Sequence, residues 1–490
     1  MSTCCPTGNS EPLAETDASC ALADRKHLLI VGGGGAAFSA ALKASSLGGR
    51  ATIINDGLPM GGTCVNVGCV PSKTLLRAAE SLHRARRPNP FAGIETTGRL
   101  AHFAAVMRQK LELVEELRQA KYADVIADDP NIRFVQGHGR LIDAHTVEVN
   151  GERLCGDAIL LCTGARPTAP DIPGLTDVPF LTNESAFELT TLPESLLVLG
   201  GRYIALECAQ MFARFGSRVT VLQRSARILP QESSELTDGL TRHLESEGLG
   251  VVTSVVIQRV FPDGSGVAVE TVISGQRRVF RAARLLVATG RTPNSAGLGL
   301  EEVGVKLDAQ AFIRVDGRLA TTVPGIYAAG DVVGEPMFVY TAAYEGALAA
   351  ETALTGTGRQ RDYTALPWVV FTDPQAAGVG LDLAQAKADG FDAEAVALPL
   401  AQVPRALAAR DTRGFIQLIR DRSTDRLLGV RILAPEGAEL LMEAALAIRY
   451  GITVRELASA FHPYLTLSEG IKLAALSFGK DVKKLSCCAV

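Results

Sequence analysis

The sequence lacks a charge surplus of either sign. Its 490 residues carry 49 Lys and Arg against 53 Asp and Glu, a formal net charge of −4. A balance this close to neutrality leaves no electrostatic footprint for nucleic acid or an anionic membrane surface. Long apolar runs are also missing, and none reaches the roughly 18 residues that a membrane span needs. Residues 1–24 are polar with scattered acids and hold no apolar stretch of the kind that forms a secretory signal. The 10 cysteines fall singly and in adjacent pairs, without the even spacing of a disulfide scaffold. A reducing cytoplasm is therefore the expected compartment. The length supports two to four domains with sizeable cores.

What the chain does have is the stretch Gly61-Gly62-Thr63-Cys64-Val65-Asn66-Val67-Gly68-Cys69-Val70-Pro71-Ser72-Lys73. Two cysteines stand five residues apart between glycines, and the run from Thr74 to Glu80 reads as a helix. Tight turns leave such a pair within disulfide reach. A thiol beside a helix N-terminus ionises easily, because the dipole and free N–H groups stabilise the thiolate. Cys64 and Cys69 thus read as a dithiol–disulfide couple. The other readings are two buried structural cysteines or half of a zinc site. Zinc would call for a matching second pair, and none lies nearby.

Two glycine-rich turns frame nucleotide sites. The apolar run His27-Leu28-Leu29-Ile30-Val31 leads into Gly32, Gly34 and Ala37 in the order G-x-G-x-x-A, followed by an alanine-rich helix. Such glycines let the backbone approach a pyrophosphate held at the helix N-terminus. The next strand ends in Asn55-Asp56, with Asn55 in the slot usually held by a ribose-binding acid and Asp56 one place late. The second turn follows Ser195-Leu196-Leu197-Val198-Leu199 and reads Gly200-Gly201-Arg202-Tyr203. Arg202 stands where the second glycine is expected, and its Cβ would crowd the usual cofactor pose. The following strand ends in Gln223-Arg224, with Arg227 close behind and no acid. Arginines at that place suit a 2′-phosphate, so NADPH is expected over NADH; the plain alternative is ordinary surface charge.

The run Gly-Gly-Thr-Cys-Val-Asn-x-Gly-Cys-Val-Pro-Ser-Lys resembles the redox motif of the flavin-dependent pyridine nucleotide–disulfide oxidoreductases. The resemblance implies an α/β fold with two Rossmann-like dinucleotide-binding domains and a C-terminal α+β dimerisation domain. The flavin domain is then discontinuous, with the NADPH domain inserted. The expected divisions are a mobile segment at 1–26, the FAD domain at 27–166 and 289–362, the NADPH domain at 167–288, a dimerisation domain at 363–480 and a cysteine tail at 481–490. FAD is implied at the first turn, with Gly62, Thr63, Gly164, Gly290 and Arg291 around it. Asp331, in the run Gly325-Ile326-Tyr327-Ala328-Ala329-Gly330-Asp331, is implied to accept a hydrogen bond from the ribityl chain. Tyr203 is implied to cover the nicotinamide pocket and swing aside for the cofactor. Glu207, one helical turn on, is implied to pair with Lys73 beside the flavin; its plain alternative is a surface helix acid. Cys162 reads as a core residue.

Two features distinguish branches within that family. Disulfide reductases carry a catalytic histidine in His-Pro-Thr-x-x-Glu near the C-terminus. Here the segment is Phe461-His462-Pro463-Tyr464-Leu465-Thr466-Leu467-Ser468-Glu469, which puts Tyr464 at the base position and His462 two residues earlier. The chain then ends in Cys487-Cys488-Ala489-Val490. Adjacent thiols beside lysines suit one soft, linear metal ion. The resemblance implies that Hg(II), arriving as thiol complexes, is held by Cys487 and Cys488, then by Cys64 and Cys69. It also implies a homodimer with shared active sites. Cys4, Cys5 and Cys20 read either as incidental or as a small thiol arm.

Overall fold

The computed structural model describes residues 25–481. The apolar run His27–Val31 is the central strand of a five-stranded parallel sheet. Its neighbours are Arg50–Asn55 on one side and Ala158–Leu161 on the other, with Ile132–Gln136 and Ile326–Ala328 at the edges. Leu28, Leu29 and Ile30 are fully buried, because the helices Gly35–Ser46 and Val339–Thr355 cover one face of the sheet and the antiparallel strands Arg140–Leu141 and Thr146–Val149 cover the other. The edge strand Ile326–Ala328 lies far along the chain, so this domain is assembled from two separate segments. The helices Gly35–Ser46 and Val339–Thr355 lock the segments together. A Cβ at Gly346 would lie 2.1 Å from the Ala36 carbonyl oxygen, so these helices meet backbone to backbone.

The second sheet repeats the plan, in the order Gly250–Val252, Arg218–Leu222, Ser195–Leu199, Arg284–Val287, Phe180–Leu181, all parallel. A short antiparallel pairing of Ala165–Pro167 with Arg291–Pro293 marks where the chain leaves the first domain and returns. The third unit is a five-stranded antiparallel sheet running from Trp368–Val370 to Ala393–Pro399, backed by the helices Leu441–Arg449, Val454–Ser459 and Glu469–Leu476.

The charged stretch from Ser81 to Ala127 is helical on both sides of a break. The helix Cys69–Arg86 stops before Pro88, with Arg87 extended at ψ 152° as the residue before a proline prefers, and helix resumes at Phe103–Arg118. In the C-terminal unit the helix Leu441–Arg449 follows a 3-10 turn at Gly437–Leu440. Glu436 is held at φ 54°, and its carboxylate takes two hydrogen bonds from Arg77 at 2.8 and 2.9 Å.

The C-terminal unit is gripped by one face of the helix Tyr203–Phe215. Glu207 accepts from the Phe371 N–H at 3.0 Å. Gln210 both donates to the Asp373 carbonyl and accepts from the Asp373 N–H, each at 2.8 Å. Arg214 pairs with the Asp373 carboxylate at 2.9 Å and with Glu247. Spacing of three and four residues puts all three side chains on one face. Among the described residues, no helix is long and apolar enough to cross a membrane.

Candidate active site

The redox pair sits on two helices that meet. Cys64 lies in the short helix Gly62–Asn66, and Cys69 is the first residue of the helix Cys69–Arg86. Gly68 between them cannot carry a side chain, because a Cβ would lie 2.8 Å from the Thr63 carbonyl oxygen. Asn66 donates to the carbonyls of Pro59, Met60 and Gly62, which ties down the entry. Asn183, from the second domain, donates to the Val67 carbonyl at 3.0 Å.

Both thiols are partly buried and unlinked, and they are unequal. The hydrogen bond from Cys64 lowers Cys69 to a pKa of about 7; burial opposes this, and the Lys73 ammonium assists. The same hydrogen bond, reinforced by burial, pushes Cys64 well above the ordinary thiol range. Cys69 at the helix N-terminus is therefore the resident thiolate and Cys64 the protonated partner. The other described free thiols, Cys162 and Cys208, are 5% and 1% exposed. Burial pushes Cys208 up to about 12 and Cys162 higher.

Lys73 lies one turn after Cys69, and its Nζ is 2.7 Å from Glu207 Oε2. Burial works against the ammonium, but the Glu207 carboxylate outweighs it and holds Lys73 above the usual lysine range. The Lys73 Nζ also lies 4.6 Å from the centroid of the Phe371 ring. Glu207 is 5% exposed, so the reading of it as a surface acid does not hold. Tyr203, one turn earlier, packs edge-on against Phe338 and Trp368. Burial pushes its phenol up to about 12.

The two glycine turns share one local geometry. A Cβ at Gly32 would lie 2.2 Å from the Cys162 carbonyl oxygen, and one at Gly200 would lie 2.4 Å from that of Ala288. Both glycines have φ near +120°, at 123° and 117°, which demands glycine. Ala37 is fully buried in the first helix. Gly34 and Gly62 face each other across the N-terminus of that helix, and a Cβ at Gly62 would lie 2.8 Å from the Gly34 Cα. Such a bare backbone cradle fits the pyrophosphate of FAD. Thr63 follows Gly62 in the same short helix. Asp331 opens a 3-10 turn with its carboxylate 3.6 Å from Arg291 Nε. That Nε is the one buried side-chain nitrogen or oxygen among the described residues without a hydrogen-bond partner. An orphaned donor beside a carboxylate suits a polar ligand such as a ribityl chain. Gly290 and Gly164, at φ 158° and 70°, turn the chain on either side of the domain crossing.

Asn55 is 3% exposed, and its amide donates to the Leu58 carbonyl. Asp56 is exposed and turns to His138 at 3.1 Å. At the second turn, Arg202 caps the helix and reaches out to Glu335 at 3.5 Å. Gln223 is buried against Gly201. Arg224 is exposed and Arg227 half-buried, and neither has an ion-pair partner among the described residues. The two guanidiniums remain available for an anion.

Tyr464 is 51% exposed in the irregular segment after Val454–Ser459. The His462 side chain is 5% exposed, with Nε2 at 2.7 Å from Glu443 and Nδ1 at 3.2 Å from the Ala460 carbonyl. Met442, Leu446, Tyr450, Phe461 and Leu465 are exposed apolar side chains of the same C-terminal unit. Cys4, Cys5, Cys20, Cys487 and Cys488 lie outside the described residues. Asn66, Asn183, Phe338, Trp368 and Phe371 were not singled out by the sequence reading. Asn66 stands inside the quoted motif, while the aromatic residues carry no local signal.

Comparisons with known proteins agree with this geometry. Residues 26–346 match the family model described as pyridine nucleotide-disulphide oxidoreductase, and residues 366–475 match its dimerisation domain. A mercuric reductase of Streptomyces lividans is 46% identical over 468 residues, covering 94% of this chain and 98% of that protein. One of Bacillus cereus is 44% identical over 461 residues, covering 94% of this chain and 73% of that protein. Among solved structures, the HOCl-induced flavoprotein disulfide reductase RclA of Escherichia coli superposes with a TM-score of 0.82 at 30% identity, covering 93% of this chain and all of that one. With two nucleotide cradles, a cysteine pair between them and matches along most of its length, the chain belongs to the pyridine nucleotide–disulphide oxidoreductases.

Proposed function

We propose that the protein is a mercury(II) reductase, transferring two electrons from NADPH to Hg(II) and releasing elemental mercury. The observation that carries this reading is the close pair of unlinked thiols, Cys64 and Cys69, with the Lys73 ammonium one helical turn on. A soft dication takes two thiolates. Its binding displaces the remaining Cys64 proton, and Lys73 steadies the negative charge beside it. Similarity to mercuric reductases along 94% of the chain supports that choice of substrate. A disulfide substrate would need a base near its leaving thiol. Both ring nitrogens of His462 are already engaged, which favours mercury.

The chemistry that bound FAD supplies is the relay from a nicotinamide hydride to two electrons at the cysteines. This chain's residues do the rest. Arg224 and Arg227 read the 2′-phosphate. Tyr203 covers the nicotinamide pocket and yields to the cofactor. Glu207 orients Lys73, whose ammonium favours negative charge at the flavin. Asp331 and Arg291 hold the ribityl side, and Gly32, Gly34 and Gly62 hold the pyrophosphate. Hg(II) passes from Cys487 and Cys488 to Cys64 and Cys69. Overall, NADPH and Hg(II) become NADP+, a proton and Hg(0), which leaves because a neutral atom holds thiolates poorly.

The test compares NADPH oxidation with Hg(II) plus excess thiol against oxidation with oxidised glutathione, while volatile mercury is collected. Oxidation dependent on Hg(II), with mercury released in equal amount, is expected. Faster oxidation with glutathione disulfide, and no volatile mercury, would assign the protein to disulfide reduction.

Arg224→Ala with Arg227→Ala should weaken NADPH binding by about 1–3 kcal/mol, the range of a lost charge-assisted contact, and leave NADH nearly unchanged. Equal losses for both cofactors in a binding titration would show that these arginines do not read the 2′-phosphate.

The match to a dimerisation domain supports a twofold assembly, and Met442, Leu446 and Tyr450 repeat at helical spacing on an exposed face. Leu446→Asp should give monomers in sedimentation and lower Hg(II) turnover with them. A Leu446→Asp dimer of full activity would move the interface elsewhere.

A further inference from the structure

We propose that Trp368 is a positioning residue that latches Tyr203 over the nicotinamide site. The inference rests on the reading of Tyr203 as the cover of that site.

Three domains converge on the Tyr203 ring. Tyr203 comes from the nicotinamide-domain helix, Phe338 from the flavin domain and Trp368 from the first strand of the C-terminal sheet. Tyr203 meets Phe338 edge-on, with centroids 5.7 Å apart and planes at 79°. It also meets Trp368 edge-on, at 6.2 Å and 90°. In both geometries the positive edge of one ring addresses the negative face of the other, and each such contact shifts an equilibrium by roughly two- to tenfold.

The indole is itself held from several directions. Gly378 lies against it, and a Cβ there would come within 2.8 Å of the ring. The Arg431 guanidinium lies 5.7 Å from the indole centroid. Arg431 is 1% exposed, and its Nε is fixed to Glu232 at 2.7 Å. On the other side, the Tyr340 hydroxyl donates to the carbonyl of Pro367, the residue before Trp368, at 2.6 Å. Tyr340 also stacks on Phe338 at 5.1 Å with planes 7° apart. The indole and the Phe338 ring are thus tied to each other as well as to Tyr203, and the phenol is the one ring of the group that the cofactor displaces.

A nicotinamide that enters must break both edge contacts. Apparent affinity is the intrinsic affinity reduced by the fraction of molecules in which the cover is open. Weakening the latch therefore raises affinity for the dinucleotide, the opposite of what loss of a binding residue does. That sign separates a latch from a contact residue, and from a residue that merely supports the fold.

The experiment uses the FAD-loaded dimer and NADP+, which binds without turnover. Calorimetric titration of Trp368→Leu should give a dissociation constant about three- to tenfold lower than wild type. Trp368→Phe, which keeps an aromatic neighbour, should return most of the way to wild type. Tyr203→Ala should also bind more tightly, and adding Trp368→Leu to it should change nothing further. Unchanged or weaker binding in Trp368→Leu, with Tyr203→Ala tighter, overturns the latch and leaves the cover reading standing. Unchanged binding in Tyr203→Ala overturns the cover reading and the latch with it.

A second measurement does not depend on the stability of Trp368→Leu. The chain has one tryptophan, so protein labelled with 5-fluorotryptophan gives a single fluorine resonance. NADP+ should move it toward the position it takes in labelled Tyr203→Ala. A resonance that NADP+ leaves in place would show that Tyr203 does not part from Trp368, and would overturn the proposal.

Discussion

Cys69→Ala should eliminate Hg(II)-dependent NADPH oxidation, with a loss on the order of a thousandfold or more, because the resident thiolate is the group that meets the metal. Cys64→Ala should lose turnover as severely, since one thiolate cannot hold the ion as a chelate. The two variants part company in their titration. Reduced wild type should show a thiolate step as pH rises, with a midpoint of about 7. The ultraviolet thiolate absorbance follows it. Cys69→Ala should lack that step. Cys64→Ala should keep one with a raised midpoint, because the Cys64 hydrogen bond is the largest cause of the depression. The reverse pattern would exchange the two roles. Stability carries the same sign. A thiol whose pKa is depressed on folding stabilises the reduced protein fully above the ordinary thiol range. That contribution fades as pH falls through about 7.

Cys487→Ala with Cys488→Ala should slow turnover about tenfold or more when Hg(II) is presented as a complex with two bulky thiols. Such a complex releases its metal only by ligand exchange, which needs an attacking thiolate at the point of arrival. Cys64 and Cys69 are partly buried, and a bulky thiol cannot follow the metal to them. Small halide complexes should bypass the requirement and be reduced by the double variant at nearly the wild-type rate. Mixed dimers locate the donor. A subunit lacking both tail cysteines, paired with one lacking Cys64 and Cys69, should recover about half of wild-type activity if delivery crosses the interface. No recovery from confirmed mixed dimers would show that each tail serves its own subunit or none.

Local signals in the sequence located the chemistry well. Gly32 and Gly200 were legible because only glycine tolerates their backbone and the carbonyl oxygens beside them. Cys64, Cys69 and Lys73 were legible as one uninterrupted motif. Tyr203 and Glu207 shared a face by helical spacing alone. The unread part is what depends on distant chain. Glu207 is buried because Lys73 and the Phe371 N–H meet it from two other domains. Nothing near residue 207 announces either partner. Phe338, Trp368 and Phe371 carry no period or spacing that singles them out, and they matter only through contacts formed after three domains dock. Arg202 departed from the glycine pattern on the page, yet its side chain is accounted for by Glu335 in another domain. The partner of Glu436 is equally distant, since Arg77 from the flavin domain holds that carboxylate.

A protein that handles a thiol-seeking ion also works beside its own poison. Cys162 and Cys208 are kept from it by the packing of the core and by protons that burial makes hard to remove. This quarantine lasts only while the domains stay closed. Once heat opens them, each subunit presents two more soft ligands, so Hg(II) in excess of what the native thiols hold binds further to the unfolded chain. Mass action then drags the melting temperature down as mercury rises, and metal bridges between wrong sulfurs prevent refolding on cooling. The substrate of the folded enzyme becomes a denaturant of the unfolded one.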